Sequence, residues 1–391
     1  MNPGLPNELE SASASSSSRT DPAAQTVRFY EELAPHCREG LRRAHDPETA
    51  LFDRQLRHGR WASVTGTENL TSTAIGLIGI HRAGIEARDL GIDVAKTRKA
   101  LLGLTRSRRY WGGFGLVLWA NAVWDWMPVG SLQERCEMAL CELPDRLSAM
   151  TTMQVAWLAS GLLHEWKKRG NARTQDWSHL TLRELASRLM PESRLMRHAS
   201  DRAPLTARLR QNVANFADQV YAIQTLAFAE IAFGGGTWLK RAVQLADRNV
   251  ALQGPLGQWW WHFDARRGRV LQRYPVYAVH QHAMAPMALL AVTSAGGPSY
   301  ENWIRRSQDW IHDNESSTSL VDRGAHTVWR DVEPRENALA RRRRHARSLL
   351  GIEDVSSPRL AVNRETRPYE WAWCLYAGAT ASGPARKGHL R

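Results

Sequence analysis

The sequence predicts an all-α fold in which helical hairpins close into an α/α toroid. Two positive observations and one absence carry this. Nearly all of the 391-residue chain reads as helix, and amphipathic helices alternate with mostly apolar ones that contain Gly and Trp. The alternation recurs roughly every 40 to 60 residues, as a structural repeat without sequence identity. No period-2 alternation marks a sheet, and no G-x-G-x-x-G motif follows a strand. Hairpins with an amphipathic outer helix and an apolar inner helix close naturally on themselves. An open superhelix of stacked pairs is the alternative, but such repeats carry a clearer consensus than this chain does.

The apolar segments are Ser72–Ile80, Tyr110–Trp124, Ala283–Val292 and Tyr369–Ala377, with two longer ones. In "NFADQVYAIQTLAFAEIAF", Phe216, Val220, Ile223 and Ala227 form one stripe, broadened by Leu226 and Phe228. In "TTMQVAWLASGLLHEWKKRG", Val155, Leu158, Leu162 and Trp166 form one stripe and Trp157, Gly161 and His164 another. A helix apolar on two sides is buried between others. Lys167, Lys168 and Arg169 suit its C-terminus, with Gly170 as the cap. The amphipathic pieces are Val27–Arg43, Ser131–Leu147, Leu182–Met190, Trp238–Ala251 and Ser299–His312.

Residues 1–24, with their "SASASSSS" run, read as a disordered tail, residues 25–380 as a single toroid domain, and residues 381–391 as a flexible basic tail. The longest apolar runs are too interrupted to span a bilayer, and no basic start leads into an apolar stretch. A cytoplasmic location is therefore expected. Cys37, Cys136, Cys141 and Cys374 have neither disulfide nor zinc spacing and read as reduced packing residues. The net charge of +13 comes almost wholly from Arg, since only six of the 52 basic residues are Lys. Such a bias reflects composition more than a binding surface. The Arg341–Arg344 run, near Leu339, Leu349 and Leu350, reads as a solvated helix face, and no specific nucleic-acid partner is expected.

The densest chemistry lies in "GQWWWHFDARRGRVLQRYPVYAVHQHAMAPMALL", Gly257–Leu290. Gly254-Pro255 and Gly257 mark a loop, and Arg266–Gly268 a second turn. Pro286 suits a first helical turn, so the following helix starts near His282 to Ala285. His280, Gln281 and His282 then sit at its N-terminus, where backbone N–H groups and the helix dipole favour an anionic ligand. Trp259–Trp261, Tyr274 and Tyr277 offer flat faces for sugar rings, and Asp264 and His262 a proton acceptor and donor. Three successive tryptophans cannot all face one way, so part of this cluster is core. His280-x-His282 invites a metal reading with His262 or Asp264, but H-x-H alone is weak; no metal or cofactor is expected. His81 and Asp125 read as helix-end residues. "VDRGAHTVWRDVEPREN" adds Asp322, Arg323, His326, Arg330, Asp331 and Glu333. "VNRETRPYEWAW" adds Asn363, Glu365, Arg367 and Tyr369 just before the last apolar helix, the place equivalent to the His280 cluster if hairpins repeat.

Three stretches together, "TSTAIGLIGIHRAG", "WWWHFD…G…YPVYAVHQ" and "VNRETRPYEWAWCLYA", resemble a poorly characterised group of bacterial α/α-toroid proteins of the kind associated with polysaccharide biosynthesis loci. The pattern is similar, more broadly, to the six-hairpin toroids that include polysaccharide lyases, uronyl epimerases and terpenoid cyclases. The resemblance covers most of residues 27–380 and implies an (α/α)6 barrel, without an activity to transfer. The D-x-D-D cluster of hopene-type cyclases and the paired Asp-rich motifs of class I terpene enzymes are absent.

These readings favour an enzyme that modifies an anionic or uronic-acid-containing saccharide. Elimination or epimerisation needs a base, Tyr277 or His280, and a cation for the substrate carboxylate, Arg323 or Arg367. Hydrolysis needs two carboxylates, Asp264 with Glu365 or Asp322. Trp260, His262, Tyr274, His282 and Tyr369 complete the expected binding surface. A non-catalytic glycan-binding or assembly protein, and an isoprenoid cyclase or transferase, are the alternatives. On the enzymatic reading Asp264, Tyr277, His280, Arg323 and Glu365 converge on one pocket.

Overall fold

The computed structural model describes residues 21–57, 59–62, 66–354 and 358–383. Thirteen main helices are used below. They are α1 (Pro22–Ala44), α2 (Thr67–Arg82), α3 (Val94–Arg108), α4 (Trp111–Trp124), α5 (Val129–Cys136), α6 (Thr152–Arg169) and α7 (Ala172–Ser187). Then come α8 (Phe216–Phe233), α9 (Thr237–Ala251), α10 (the π-helical turn His280–Met284 running into Ala285–Ser294), α11 (Glu301–Trp310), α12 (Ala338–Leu349) and α13 (Pro368–Ala381).

Six of them form a closed inner ring: α2 packs on α4, α4 on α6, α6 on α8, α8 on α10, α10 on α13, and α13 back on α2. The other ring is outer, with α3 against α2 and α4, α5 against α3, α7 against α6, α9 against α8, α11 against α10, and α1 against α11 and α13. The chain is thus an (α/α)6 toroid, and the α13–α2 contact excludes an open superhelix. Because inner and outer helices alternate, the inner helices run parallel and their N-termini open at one mouth.

Local chemistry starts and stops these helices. Asp21 caps α1, its Oδ1 accepting from Ala23 N at 3.1 Å, with Pro22 in the first turn. Thr151 with Gln154 and Asn215 with Asp218 form capping boxes for α6 and α8. Gly170 ends α6 in the left-handed region, φ 64°. Where α4 meets α6, a Cβ at Gly161 would run into the Gly115 carbonyl, and one at Gly115 into the Leu158 backbone. Glycine there lets two inner helices touch backbone to backbone.

The structure departs from the sequence reading at several elements. α3 was not legible as a helix. α7 starts ten residues before the expected Leu182, because its buried stripe includes Thr174, Ser178 and Thr181. Ser178 and Thr181 turn their hydroxyls back onto the Thr174 and Trp177 carbonyls at 2.8 and 3.0 Å, so polar residues fill a core face. The expected Ser131–Leu147 helix ends at Cys136, where Glu137 takes φ 51°, and continues only as short turns. Sheets, unexpected, are present as strands of two to four residues. Cys141 is exposed, whereas Cys37, Cys136 and Cys374 are buried; all four are free. α1 begins inside the expected N-terminal tail, at Pro22; residues 1–20 and 384–391 lie outside the described residues. No helix of the described residues is long and apolar enough to cross a membrane.

The short strands gather at the mouth. Val213–Asn215, His262–Asp264 and Arg269–Gln272 form one antiparallel sheet that feeds α8. Leu360–Asn363, Asp331–Pro334 and Val276–Tyr277 form a second that feeds α10. Glu365–Thr366 joins the Gln55–Arg57 and Arg60–Ala62 hairpin and feeds α13. The lumen below is filled. Trp119 of α4 stacks on His164 of α6 (centroids 4.5 Å) and meets Trp373 and Tyr376 of α13 at 5.7 and 5.8 Å. Phe228 of α8 closes on Trp119 edge-to-face at 5.5 Å.

Candidate active site at the mouth

A guanidinium organises the mouth. Arg330 donates from Nη1 to Glu365 Oε1 at 2.6 Å, and its Nε lies 3.4 Å from Asp331 Oδ2. Its Cζ stands 5.2 Å from the centre of the Tyr277 ring, a cation–π contact. Arg367 holds the same Glu365 oxygen from the other side, Nε to Oε1 2.9 Å. The backbone fixes this convergence, since Arg330 N–H donates to Glu365 O and Ala278 N–H to Arg330 O, both at 2.8 Å. Three segments far apart in sequence, 276–280, 330–331 and 363–370, are thereby stitched together. Asn363 Nδ2 completes the link by donating to Asp331 Oδ2 at 3.2 Å.

The carboxyls of this cluster are tuned apart. Burial alone would raise the Glu365 carboxyl, but Arg330 and then Arg367 outweigh it and hold it below the usual range, so it is ionised. Burial pushes Glu370 up to about 8 against the pull of the same two arginines, so at neutral pH it carries its proton. Burial likewise pushes Asp331 up to about 7. Among the described residues neither oxygen of Glu370, nor Asp331 Oδ1, has a hydrogen-bond partner. A buried carboxyl group with both oxygens unmatched is costly, and such groups are rare outside sites that await a ligand. The Arg330 and Arg367 side chains keep 13% and 18% of their exposure, while Asp331 and Glu370 are buried beneath them. Tyr277 and Tyr369 are half-buried, and burial raises both phenols.

Of the residues singled out from sequence, Tyr277, Glu365, Arg367 and Tyr369 surround Arg330. His280 joins them through the Tyr277 ring (5.1 Å) and packs on Phe216 at 4.6 Å. It is buried, its Nδ1 has no partner among the described residues, and burial pushes it down to about 3, so it is neutral. The π-helical turn keeps His280, Gln281 and His282 buried instead of presenting them at an open helix end. His282 is pushed to about 3 by burial, and neither of its ring nitrogens has a partner among the described residues.

Others lie apart from Arg330. Asp264 Oδ1 accepts from Arg266 N and Arg267 N at 3.0 and 2.9 Å, which closes the turn between two strands. Its carboxylate is committed to that turn and to Arg267 and Arg269. His262 bonds Gln272 through Nδ1 (3.1 Å) and stacks on Trp261 at 4.8 Å; burial, then Arg210, pushes it to about 3. Trp260 packs edge-on against Tyr274, whose hydroxyl donates to Glu315 at 3.0 Å. Asp322 and Arg323 belong to a separate hairpin, where Asp322 Oδ1 caps the turn by accepting from Ala325 N at 2.9 Å. The five residues expected to converge therefore divide: Tyr277, His280 and Glu365 meet, whereas Asp264 and Arg323 stand elsewhere.

The sequence pattern gives no role to Glu370, and Arg330 and Asp331 stand in it only as members of the charged segment 321–337. A signal existed for Glu370, an acidic residue inside the apolar run "YEWAWCLY" on a helix buried all round. No group of three or more His, Cys, Asp or Glu among the described residues is arranged to hold a metal ion.

No protein-family model matches the chain, and no curated protein matches it in sequence. Solved structures do share its fold. An unsaturated glucuronyl hydrolase specific for heparin superposes with a TM-score of 0.63 at 12% identity, covering 93% of this chain and 99% of that one. The unsaturated glucuronyl hydrolase of Bacillus sp. GL1 gives 0.59 at 12% identity, covering 92% and 98%. An inactive variant of a Salegentibacter α-1,6-mannanase in complex with α-1,6-mannotriose gives 0.55 at 12% identity, covering 90% and 99%. At these identities the likeness is one of fold.

Proposed function

We propose that this protein is a glycan-modifying enzyme, and that it hydrolyses a glycosidic bond of an anionic or uronic-acid-containing saccharide at the mouth of the toroid. The observation that carries the reading is the buried Glu370 carboxyl with both oxygens unpartnered among the described residues, together with the Glu365 carboxyl that Arg330 and Arg367 hold. The first is shifted towards its protonated form and the second towards its ionised form. Glycoside hydrolysis needs one carboxyl to protonate the leaving oxygen and a second to activate water or attack the sugar. Environments that push two such groups apart assign the roles, Glu370 as acid and Glu365 or Asp331 as partner. The likeness of the fold to two glucuronyl hydrolases and a mannanase supports hydrolysis of a saccharide, and the two glucuronyl hydrolases support a uronic acid in it. Tyr277 and Tyr369 give the sugar an aromatic rim, and Arg330 and Arg367 give its carboxylate a counter-charge.

Hydrolysis is favoured over elimination because burial raises the Tyr277 phenol, which makes it a poor base at neutral pH. For substrate to reach Glu370, the half-buried rim of Tyr277, Tyr369 and Arg367 has to part. A thermal-shift screen of the full chain against anionic oligosaccharides, neutral oligosaccharides and prenyl diphosphates tests the reading. Anionic oligosaccharides should raise Tm by mass action, with reducing ends released on incubation. Stabilisation without cleavage would assign a non-catalytic glycan-binding protein. Stabilisation by prenyl diphosphates alone would assign isoprenoid chemistry.

A further inference from the structure

The wall of the mouth has a second side. Leu360–Asn363 and Glu365–Thr366 are strands, along which successive side chains point to opposite faces. Arg330, Asn363 and Glu365 turn into the acidic cluster, as described. Trp329, Val362 and Arg364 turn the other way and line a groove of ≈ 530 Å³. Its opposite bank comes from His312 and the hairpin that carries Arg323, with the Thr318 and Ser319 hydroxyls beside them. A smaller cavity of ≈ 220 Å³ continues from it towards α1, sharing His312, Val321 and Arg323 and ending at His36 and Glu32.

The charges in this groove are unbalanced. Arg323 and Arg364 are exposed and make no ion pair among the described residues. Of the two acids that line it, Asp322 is held by the turn and Glu32 lies at the far end. Two lining imidazoles, His312 and His36, add further N–H groups. His312 faces Ser319 Oγ at 3.3 Å, and His36 and His326 share an Nδ1···Nδ1 contact of 3.2 Å. His326 reaches that contact from the turn of the hairpin, where its backbone is left-handed, φ 50°. The half-exposed Trp329 indole supplies the only large aromatic side chain of the larger cavity.

We propose that this groove is a second, non-catalytic binding site for a carboxylate- or sulfate-bearing saccharide, seated with a sugar ring on Trp329 and its acid groups between Arg323 and Arg364. Guanidinium forks suit both oxyanions, and an indole face beside hydroxyls suits a sugar ring. The nature of the ligand rests on the hydrolase reading above. The site itself rests on the groove's own residues, none of which belongs to the Arg330 cluster. One strand's thickness separates the two, so a polymer held in the groove would keep further units near the mouth.

The test is calorimetric titration of the full-length protein with trigalacturonate, its neutral counterpart galactotriose, and sodium sulfate. A Glu370→Gln background prevents cleavage during the titration. Trigalacturonate should bind and galactotriose should bind at least tenfold more weakly. Arg323→Gln/Arg364→Gln should weaken trigalacturonate at least tenfold, and Trp329→Ala about threefold to tenfold. All three positions are surface-accessible, and a melting curve within a few degrees of the parent confirms folding. Sulfate should compete with trigalacturonate in the parent but not in the double variant. No binding by the parent, or a double variant that titrates like it, overturns the groove site. Failure of the two readings is separable. Cleavage by wild type with an unaltered double-variant titration sinks the groove and leaves the hydrolase. Groove-dependent binding without cleavage of any anionic oligosaccharide does the reverse.

Discussion

The lumen and the mouth of this toroid are built by the same inner helices and have opposite chemistry. In the lumen the central aromatic side chains are stacked and largely matched, although Trp157 Nε1 has no hydrogen-bond partner among the described residues. Trp373 Nε1 donates to the Tyr221 hydroxyl at 2.8 Å, and His164 Nδ1 bonds Ser160 O at 2.7 Å. Burial pushes His164 to about 4, so the stack on Trp119 is neutral. At the mouth, Glu370 sits on α13 only three residues before Trp373, yet its oxygens are unmatched among the described residues. One turn of helix separates a close-packed aromatic plug from a cluster that leaves a carboxyl unmatched at a cost in stability. The plug holds the ring together, and chemistry is confined to the end where short strands import charge.

Substitutions can break that contrast from either side. The largest expected effect is on turnover. Glu370→Gln should cut it about 10²- to 10⁴-fold, the usual share of a general acid, in a reducing-end assay. Melting should stay within a few degrees, because a neutral amide replaces a neutral acid. A variant that melts far lower would place Glu370 with the plug instead of the site. Trp373→Ala should do the opposite. Opening a cavity in the plug costs ~3–5 kcal/mol, which denaturant melts would register as a shifted midpoint. Gly161→Ala tests the ring itself, since overpacking the α4–α6 contact costs ~1–3 kcal/mol. An unchanged melt would mean the two backbones are not in contact.

The pH dependence of stability sharpens the same comparison. The folded Glu370 carboxyl, near 8, is more basic than an unfolded glutamate near 4.5. Between those values the folded state binds more protons, so this contribution is complete below about pH 4.5 and declines as pH rises through about 8. The slope is at most ~1.4 kcal/mol per pH unit for this group. Asp331 and Glu165, both pushed up to about 7 by burial, act in the same direction. Glu370→Gln should therefore flatten the fall of Tm with pH between about pH 5 and 8. An identical profile in both proteins would mean that the carboxyl is ionised in the fold. The smallest effect belongs to Asp264→Ala. Losing two turn hydrogen bonds should cost ~1 kcal/mol and leave turnover unchanged. A hundredfold fall in turnover would return Asp264 to the site.

Much of the scaffold could be read from side-chain pattern. Apolar residues on two faces of 151–170 and 215–233 identified inner helices, and Gly170 fell at a helix end as its backbone preference requires. Pro286, by contrast, lies inside α10, behind the π-helical turn His280–Met284 that starts the helix earlier than expected. Where reading failed, the pattern was chemically disguised. α7 buries Thr and Ser whose hydroxyls bond their own helix, and strands of two to four residues are too short to show alternation. The site was legible in pieces. Tyr277, Glu365, Arg367 and Tyr369 stood out as polar residues ahead of apolar helices. Asp264, His262, Trp260 and Tyr274 looked alike in sequence, but the structure commits them to a turn, a sheet and a loop.

The sequence by itself determined which helices are inner, because burial on every side demands apolar residues on every side. It also placed polar residues in the segments leading into several inner helices, with side-chain caps at Thr151 of α6 and Asn215 of α8. Only the tertiary structure decided which of those polar groups meet. Arg330 reaches Tyr277 and Glu365 through strand pairings between segments dozens of residues apart, with no periodicity to announce them. The raised Glu370 carboxyl, too, is a product of burial by neighbours. A protonation state set by surroundings is written in no single stretch of the chain.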